Sequence, residues 1–257
     1  MIFLDVLARL LKGKRNATRT AKLEDVRQQH DGSGIHRFAS AAERTISDCR
    51  RVGMLASAVS AQSGRDADCG PRDKIRQLIM AAKTADLYVP PERVGALGDL
   101  VSKRTGESAV YWNHDENAFY KVKNPEAKRP IKRSSEVDWP YEHVIHNILF
   151  PESAYEFIGV TDDCGELRVI LKQSAIGTES FPTRDQILKS LSARGLYPID
   201  AYFFSDGIVS VTDVSEHGDN VLLGDDGIVY FIDPLIRLHH PATETIRQLT
   251  GVNPESV

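Results

Sequence analysis

"DVSEHGDNVLLGDDGIVYFIDP", residues 213–234, holds an apolar run, an Asp226-Gly227 turn signal and a second apolar run closed by Asp233-Pro234. Short runs of Val, Ile and aromatic residues around an Asp-Gly pair spell a β-hairpin, because those two residues accept the positive φ angles a tight turn needs. Asn220 stands just before the first run and Asp233 just after the second, so closing the hairpin brings both to one end. Two oxygen-bearing side chains held there can share Mg²⁺, a hard cation that takes oxygen ligands and keeps water or phosphate in its other positions. Each residue alone is better explained as local chemistry, Asn220 capping a strand and Asp233 opening a turn with Pro234.

Outward from the hairpin the chain reads as more strands and a few helices. "AYFFSDGIVSVTD", residues 201–213, is a second strand group around a turn. "FPTRDQILKSLSARG", residues 181–195, is a helix opened by a Thr183-x-x-Gln186 capping box and stopped by Gly195. "YEFIGV", "TDDCG" and "ELRVILKQSAIG", residues 155–177, form a further hairpin running into an extended segment. "ESAVYW", "NHDEN" and "AFYKVK", residues 107–123, form another, with Phe119, Lys121 and Lys123 on one face of the return strand. A strand lysine upstream of an Asn/Asp pair is what lifts that pair above its local explanation. "RTGES", residues 104–108, is a glycine turn whose backbone N–H groups can approach a phosphate.

"DWPYEHVIHNILF", residues 138–150, suits a helix, with Glu142 in its first turn and Val144, Ile145, Ile148 and Leu149 facing inward. His143 and His146 are expected at its surface or lightly packed, since no nucleophile or metal partner accompanies them. Glu142 fits two roles: a partner of Lys121, or a first-turn acid favoured by the helix dipole. Upstream, "PRDKIRQLIMAAKTADL", residues 71–87, carries Ile75, Leu78, Ile79 and Ala82 on one helical stripe.

Residues 1–71 read as a helical and polar N-terminal extension, loosely attached, with a helix over residues 38–61 and an amphipathic start, "MIFLDVLARLLKGKR". That start is a candidate docking helix for a protein partner or a membrane surface, or a short helix packing on its own domain. Asp5 and Arg9 interrupt its apolar stretch, which argues against a secretory signal, and no apolar run reaches transmembrane length. A net charge of −4 gives no case for nucleic acid. Cys49, Cys69 and Cys164 are scattered and odd in number, so neither a disulfide framework nor a zinc site is indicated, and a cytoplasmic setting is expected.

In order and spacing, "GESAVYWNHDENAFYKVKNP", "HNILFPESAYEFIGV", "LRVILKQ" and "HGDNVLLGDDGIVYFIDPLI" resemble the serine/threonine/tyrosine kinase-like domain found in polyvalent proteins of phages and conjugative elements, within the protein kinase-like superfamily. The resemblance spans roughly residues 93–238 of a compact kinase-like domain over 72–257. It implies an α+β, bilobal protein kinase-like fold with an N-terminal helical extension, binding ATP and Mg²⁺ in the interlobe cleft. Residue by residue, it implies that Lys121 contacts the nucleotide phosphates, with Glu142 as its partner and Gly106 in the phosphate-covering turn. Gln173, Ser174 and Ala175 match the hinge that meets adenine. Asn220 and Asp233 match the metal ligands, and Asp213 the catalytic acid that orients or deprotonates an acceptor hydroxyl.

The sequence departs from the pattern in two places. Asp213 precedes Asn220 by seven residues where the family's catalytic Asp precedes by five; Ser215 stands at the five-before position, and Asp219 adjoins Asn220. Either an insertion still presents Asp213, or Asp219 serves, or the base is missing. Only twenty-four residues follow Asp233, with "DPL" in place of Asp-Phe-Gly and no Ala-Pro-Glu segment, so no large peptide-binding helical lobe is expected. Three readings remain: a phosphotransferase acting on a hydroxyl of a protein or small molecule, a nucleotide-binding pseudokinase, and a non-enzymatic interaction protein.

Overall fold

A computed structural model describes residues 48, 51, 55, 71–104, 108–124, 142–218, 220–240 and 244–246. The N-terminal docking helix, most of the helix over 38–61, Gly106 and Asp219 lie outside the described residues. The described residues of Ile46–Lys132 with Tyr155–Ala175 form one compact unit, and those of Arg133–Ala154 with Ile176–Val257 form another.

The first unit is built on a five-stranded antiparallel sheet in the order β1-β2-β3-β5-β4, from β1 (Asp99–Arg104), β2 (Ser108–Asn113), β3 (Ala118–Lys123), β4 (Tyr155–Asp163) and β5 (Glu166–Ser174). Both hairpins expected from the turn residues are present. At the tip of β4 and β5, Cys164 and Gly165 both have positive φ, 54° and 85°, the geometry whose twist matches that of the strands. Pairing of Lys121 with Leu171 and of Phe119 with Gln173 sets the register. Period-2 alternation then puts Lys121, Leu171, Gln173 and Phe157 on one face and Tyr120, Val122 and Ile170 on the other. Helix α1 (Pro71–Thr84) precedes the sheet, followed by the short α2 (Pro91–Val94).

β4 is an edge strand, and its outer backbone groups are satisfied from other parts of this unit. Val160 donates to the Leu87 carbonyl at 2.8 Å, and Val89 donates to the Val160 carbonyl at 2.9 Å. At the bulge between Phe157 and Gly159, the carboxylate of Asp48 accepts the Phe157 N–H at 2.9 Å. The Arg51 guanidinium donates to the carbonyls of Phe157 and Ile158. Asp48, Arg51 and Leu55, within the segment read as an extension, are helical, and Asp48 and Leu55 are buried. A covered edge cannot pair with another chain.

Gly159 shows how tight this edge is. A Cβ there would stand 2.2 Å from the Leu87 carbonyl oxygen, the acceptor of the Val160 N–H. Gly159→Ala must push residues 87–89 off the strand, and an expected loss of about 1–3 kcal/mol follows from such overpacking. Urea unfolding checks it, and an unchanged midpoint would show that the 87–89 segment yields freely.

The second unit holds α3 (Glu142–Leu149), a 3₁₀ turn at Pro151–Ser153, α4 (Arg184–Ala193) and seven short strands: β6 (Thr178–Ser180), β7 (Tyr197–Asp200), β8 (Phe203–Ser205), β9 (Val209–Thr212), β10 (Val221–Gly224), β11 (Val229–Phe231) and β12 (Leu235–Leu238). They make a three-stranded sheet, β11-β10-β6, and a four-stranded one, β12-β9-β8-β7. The Thr183–Gln186 capping box forms as expected, with the Gln186 N–H donating to the Thr183 hydroxyl at 3.3 Å and the Thr183 N–H donating to the Gln186 side chain at 2.8 Å.

His143 and His146 depart from expectation: each is only 4% exposed. The reason is that α3 is buried on nearly all sides, at residues 143–147 and 149, so its polar positions are interior and require hydrogen-bond partners. Among the described residues no helix is long and apolar enough to cross a membrane.

Candidate functional site

In the first unit Lys121 stands mid-strand on β3, only 9% exposed. Its ammonium donates to the Tyr155 hydroxyl at 2.9 Å and lies 5.0 Å from that ring's centroid. A buried cation needs such a partner, because desolvation without one is costly. Tyr155, the partner of this lysine, is a residue that sequence reasoning passed over. Its first position on β4, opposite Gln173, places it on the Lys121 face, but that register appears only once β4 pairs with β5. Gln173 is buried on the same face and Ser174 is exposed; the Ala175 N–H donates to the Asn117 carbonyl at 2.9 Å. A cavity of about 260 Å³ lined by Val94, Ala109, Tyr111, Val122, Thr161 and Arg168 opens on the opposite face of the sheet, away from Lys121.

In the second unit the opening hairpin forms as its turn chemistry requires. β10 and β11 pair with Val221 opposite Phe231, and the Ile232 N–H donates to the Asn220 carbonyl at 2.8 Å. Asp233 is therefore one residue beyond the partner of Asn220, at the same end of the hairpin.

Asp213 joins that end from a different sheet. It follows β9 and has φ 61°, a left-handed conformation that Asp tolerates better than most residues. The Asn220 side-chain amide donates to its carboxylate at 2.7 Å and lies 3.4 Å from its carbonyl. The long spacing is absorbed locally: Gly218 N–H donates to the Ser215 carbonyl at 3.2 Å, closing a turn within residues 215–218. The buried Val214 side chain anchors the loop's near end.

With its amide nitrogen committed to Asp213, Asn220 has its amide oxygen left to offer a hard cation. Among the described residues no three His, Cys, Asp or Glu side chains gather as a metal cluster. A pair of oxygen donors such as Asn220 and Asp233 suits Mg²⁺, which is commonly held by one or two side chains together with water and substrate phosphates. Glu142 is the first described residue of α3 and is half-buried. That helix groups with the second unit, whereas Lys121 belongs to the first.

No curated protein and no solved structure matches the chain. Residues 72–240, from the start of α1 through the hairpin and β12, match the family described as serine/threonine/tyrosine kinase found in polyvalent proteins, and the chain belongs to that kinase-type phosphotransferase family.

Proposed function

We propose that this protein transfers the γ-phosphate of ATP to a hydroxyl acceptor with the help of Mg²⁺. The observation that carries the reading is the joint placement of Asp213, Asn220 and Asp233 at one hairpin end, with Asp213 hydrogen-bonded to Asn220. The carboxylate of Asp233 and the amide oxygen of Asn220 hold the metal, which when bound neutralises charge on the phosphates. Asp213, fixed by the Asn220 amide, orients the acceptor hydroxyl and takes its proton. Lys121 supplies a fixed positive charge for the nucleotide phosphates, and the Tyr155 hydroxyl, which accepts a hydrogen bond from its ammonium at 2.9 Å, orients it. Gly106 and the Gln173–Ala175 segment complete the nucleotide contacts. The presence of a carboxylate beside Asn220 favours transfer over a pseudokinase, since it supplies the base that the irregular spacing put in question.

Incubation with γ-labelled ATP and Mg²⁺, followed by mapping of the label, tests transfer. Binding is tested separately by melting. Because a ligand that binds only the folded state stabilises it by mass action, ATP at about 100 times its Kd raises stability by about 2.7 kcal/mol. A melting temperature unmoved by millimolar ATP and Mg²⁺ would sink the nucleotide reading, while a shift without label transfer would mark a pseudokinase.

A further inference from the structure

β11 is the edge strand of its sheet, and among the described residues no strand lies on its outer side. Phe231 faces Val221 between the bonds made by Ile232 and by Tyr230's level of the ladder, so its own carbonyl points away from β10. That carbonyl is nevertheless doubly bonded. The His146 Nε2–H donates to it at 2.9 Å and the Ser153 hydroxyl donates at 2.7 Å, a shorter contact than the hydroxyl's 3.3 Å approach to the Phe150 carbonyl. His146, Ser153 and Phe231 are all buried. Because a carbonyl only accepts, this bond fixes the proton of His146 on Nε2.

The elements that supply these donors are themselves braced. The Phe150 and Phe231 rings stack with centroids 4.7 Å apart. Arg194 donates to the Leu149 carbonyl at 3.1 Å and to the Glu152 carboxylate at 2.5 Å, and its guanidinium lies 5.6 Å from the Phe231 ring centroid. Burial pushes the Glu152 carboxyl above its ordinary pKa, against the lowering pull of Arg194. The segment from Leu149 to Ser153 is thus tied on both sides of the carbonyl it grips.

We infer that His146 and Ser153 are positioning residues that clamp the Phe231 carbonyl and thereby set the place of Asp233, two residues on, as a metal ligand. The clamp takes the place that a neighbour strand would fill: both lone pairs of the Phe231 carbonyl are engaged from α3 and the turn after it, while Ile232 is held from the inner side by Asn220. The 231–232 peptide unit is then held from opposite sides, its carbonyl by the clamp and its N–H by Asn220, so the chain leads into Asp233 from a fixed plane. The inference rests on the reading of Asp233 as a metal ligand given above, but the clamp also makes a prediction that involves no metal.

Two variants remove the donors, Ser153→Ala by deleting one oxygen and His146→Phe by keeping an aromatic ring. Two measurements are made on each in the full chain: amide hydrogen exchange over residues 230–235 without metal, and Mn²⁺ binding in the presence of ATP by electron paramagnetic resonance. Loss of one hydrogen bond corresponds to about a 3- to 10-fold change, so each single variant is expected to speed exchange and weaken Mn²⁺ binding by about that factor. The double variant is expected to exceed either single one, and His146→Gln, which restores a donor at the same reach, to return close to wild type.

Unchanged exchange and unchanged Mn²⁺ affinity in Ser153→Ala and His146→Phe would overturn the inference. Faster exchange with wild-type Mn²⁺ affinity would overturn its link to the metal and leave a clamp for stability alone. Should His146→Phe fail to fold, Ser153→Ala decides by the same two readouts. If Asp233→Asn binds Mn²⁺ like wild type, the metal reading of Asp233 fails and the inference with it, even where exchange shows the clamp.

Discussion

Asp233→Asn is expected to lower phosphoryl transfer by about 10²-fold or more while leaving the fold intact. The substitution keeps the size of the side chain and one of its oxygens but removes the charge, and a metal's charge stabilisation of a transferring phosphoryl group is worth several kcal/mol. Two features favour an intact fold. The hairpin register is set by backbone pairing of Val221–Leu223 with Val229–Phe231, and the Ile232 N–H is bound by the Asn220 carbonyl. The measurement is label transfer from γ-labelled ATP alongside thermal melting. Wild-type turnover would reduce Asp233 to the turn residue that its place before Pro234 would suit equally well.

Removing the carboxylate of Asp213 is expected to cost about 10²–10⁴-fold in transfer, the usual contribution of a placed general base. The structure also shows that Asp213→Ala is a blunt test. Alanine is less at ease at φ 61°, and it strips Asn220 of its 2.7 Å acceptor. Asp213→Asn is cleaner, since Asn tolerates that backbone conformation and still offers an oxygen to the Asn220 amide while having no base. Both variants should lose transfer, with ATP binding close to wild type in Asp213→Asn and Asp219→Ala mild throughout. Transfer that survives Asp213→Asn but is lost in Asp219→Ala would move the base to the residue adjoining Asn220. Indifference to both changes, with transfer still present, would reject a carboxylate base.

Much of the fold and part of the candidate site's geometry were legible in the sequence because they rest on short-range rules. Turn chemistry fixed the hairpins: Cys164 and Gly165 close one, and Asp226-Gly227, with Gly227 at φ 75°, closes the other. Alternation put Lys121 on one face of β3 and Tyr120 with Val122 on the other. Closure of the second hairpin was enough to bring Asn220 and Asp233 to one end, since only its own register is involved. The capping box of α4 is equally local.

What lay beyond the sequence depends on partners far along the chain. The seven-residue spacing left Asp213, Asp219 or no base open; the tertiary structure joined Asp213 to Asn220, because a turn over residues 215–218 takes up the extra length while β9 and β10 lie in different sheets. His146 was expected at the surface or lightly packed because no nucleophile or metal partner accompanies it in the sequence. In fact the helix is enclosed on nearly every side, and the ring meets a carbonyl 85 positions away. Tyr155 found Lys121 across 34 positions through strand pairing, and Gly159 is required only because the Leu87 carbonyl occupies the space of a Cβ. Local geometry is written in neighbouring residues, whereas the burial of a polar side chain and the identity of its partner are settled only when distant segments pack together.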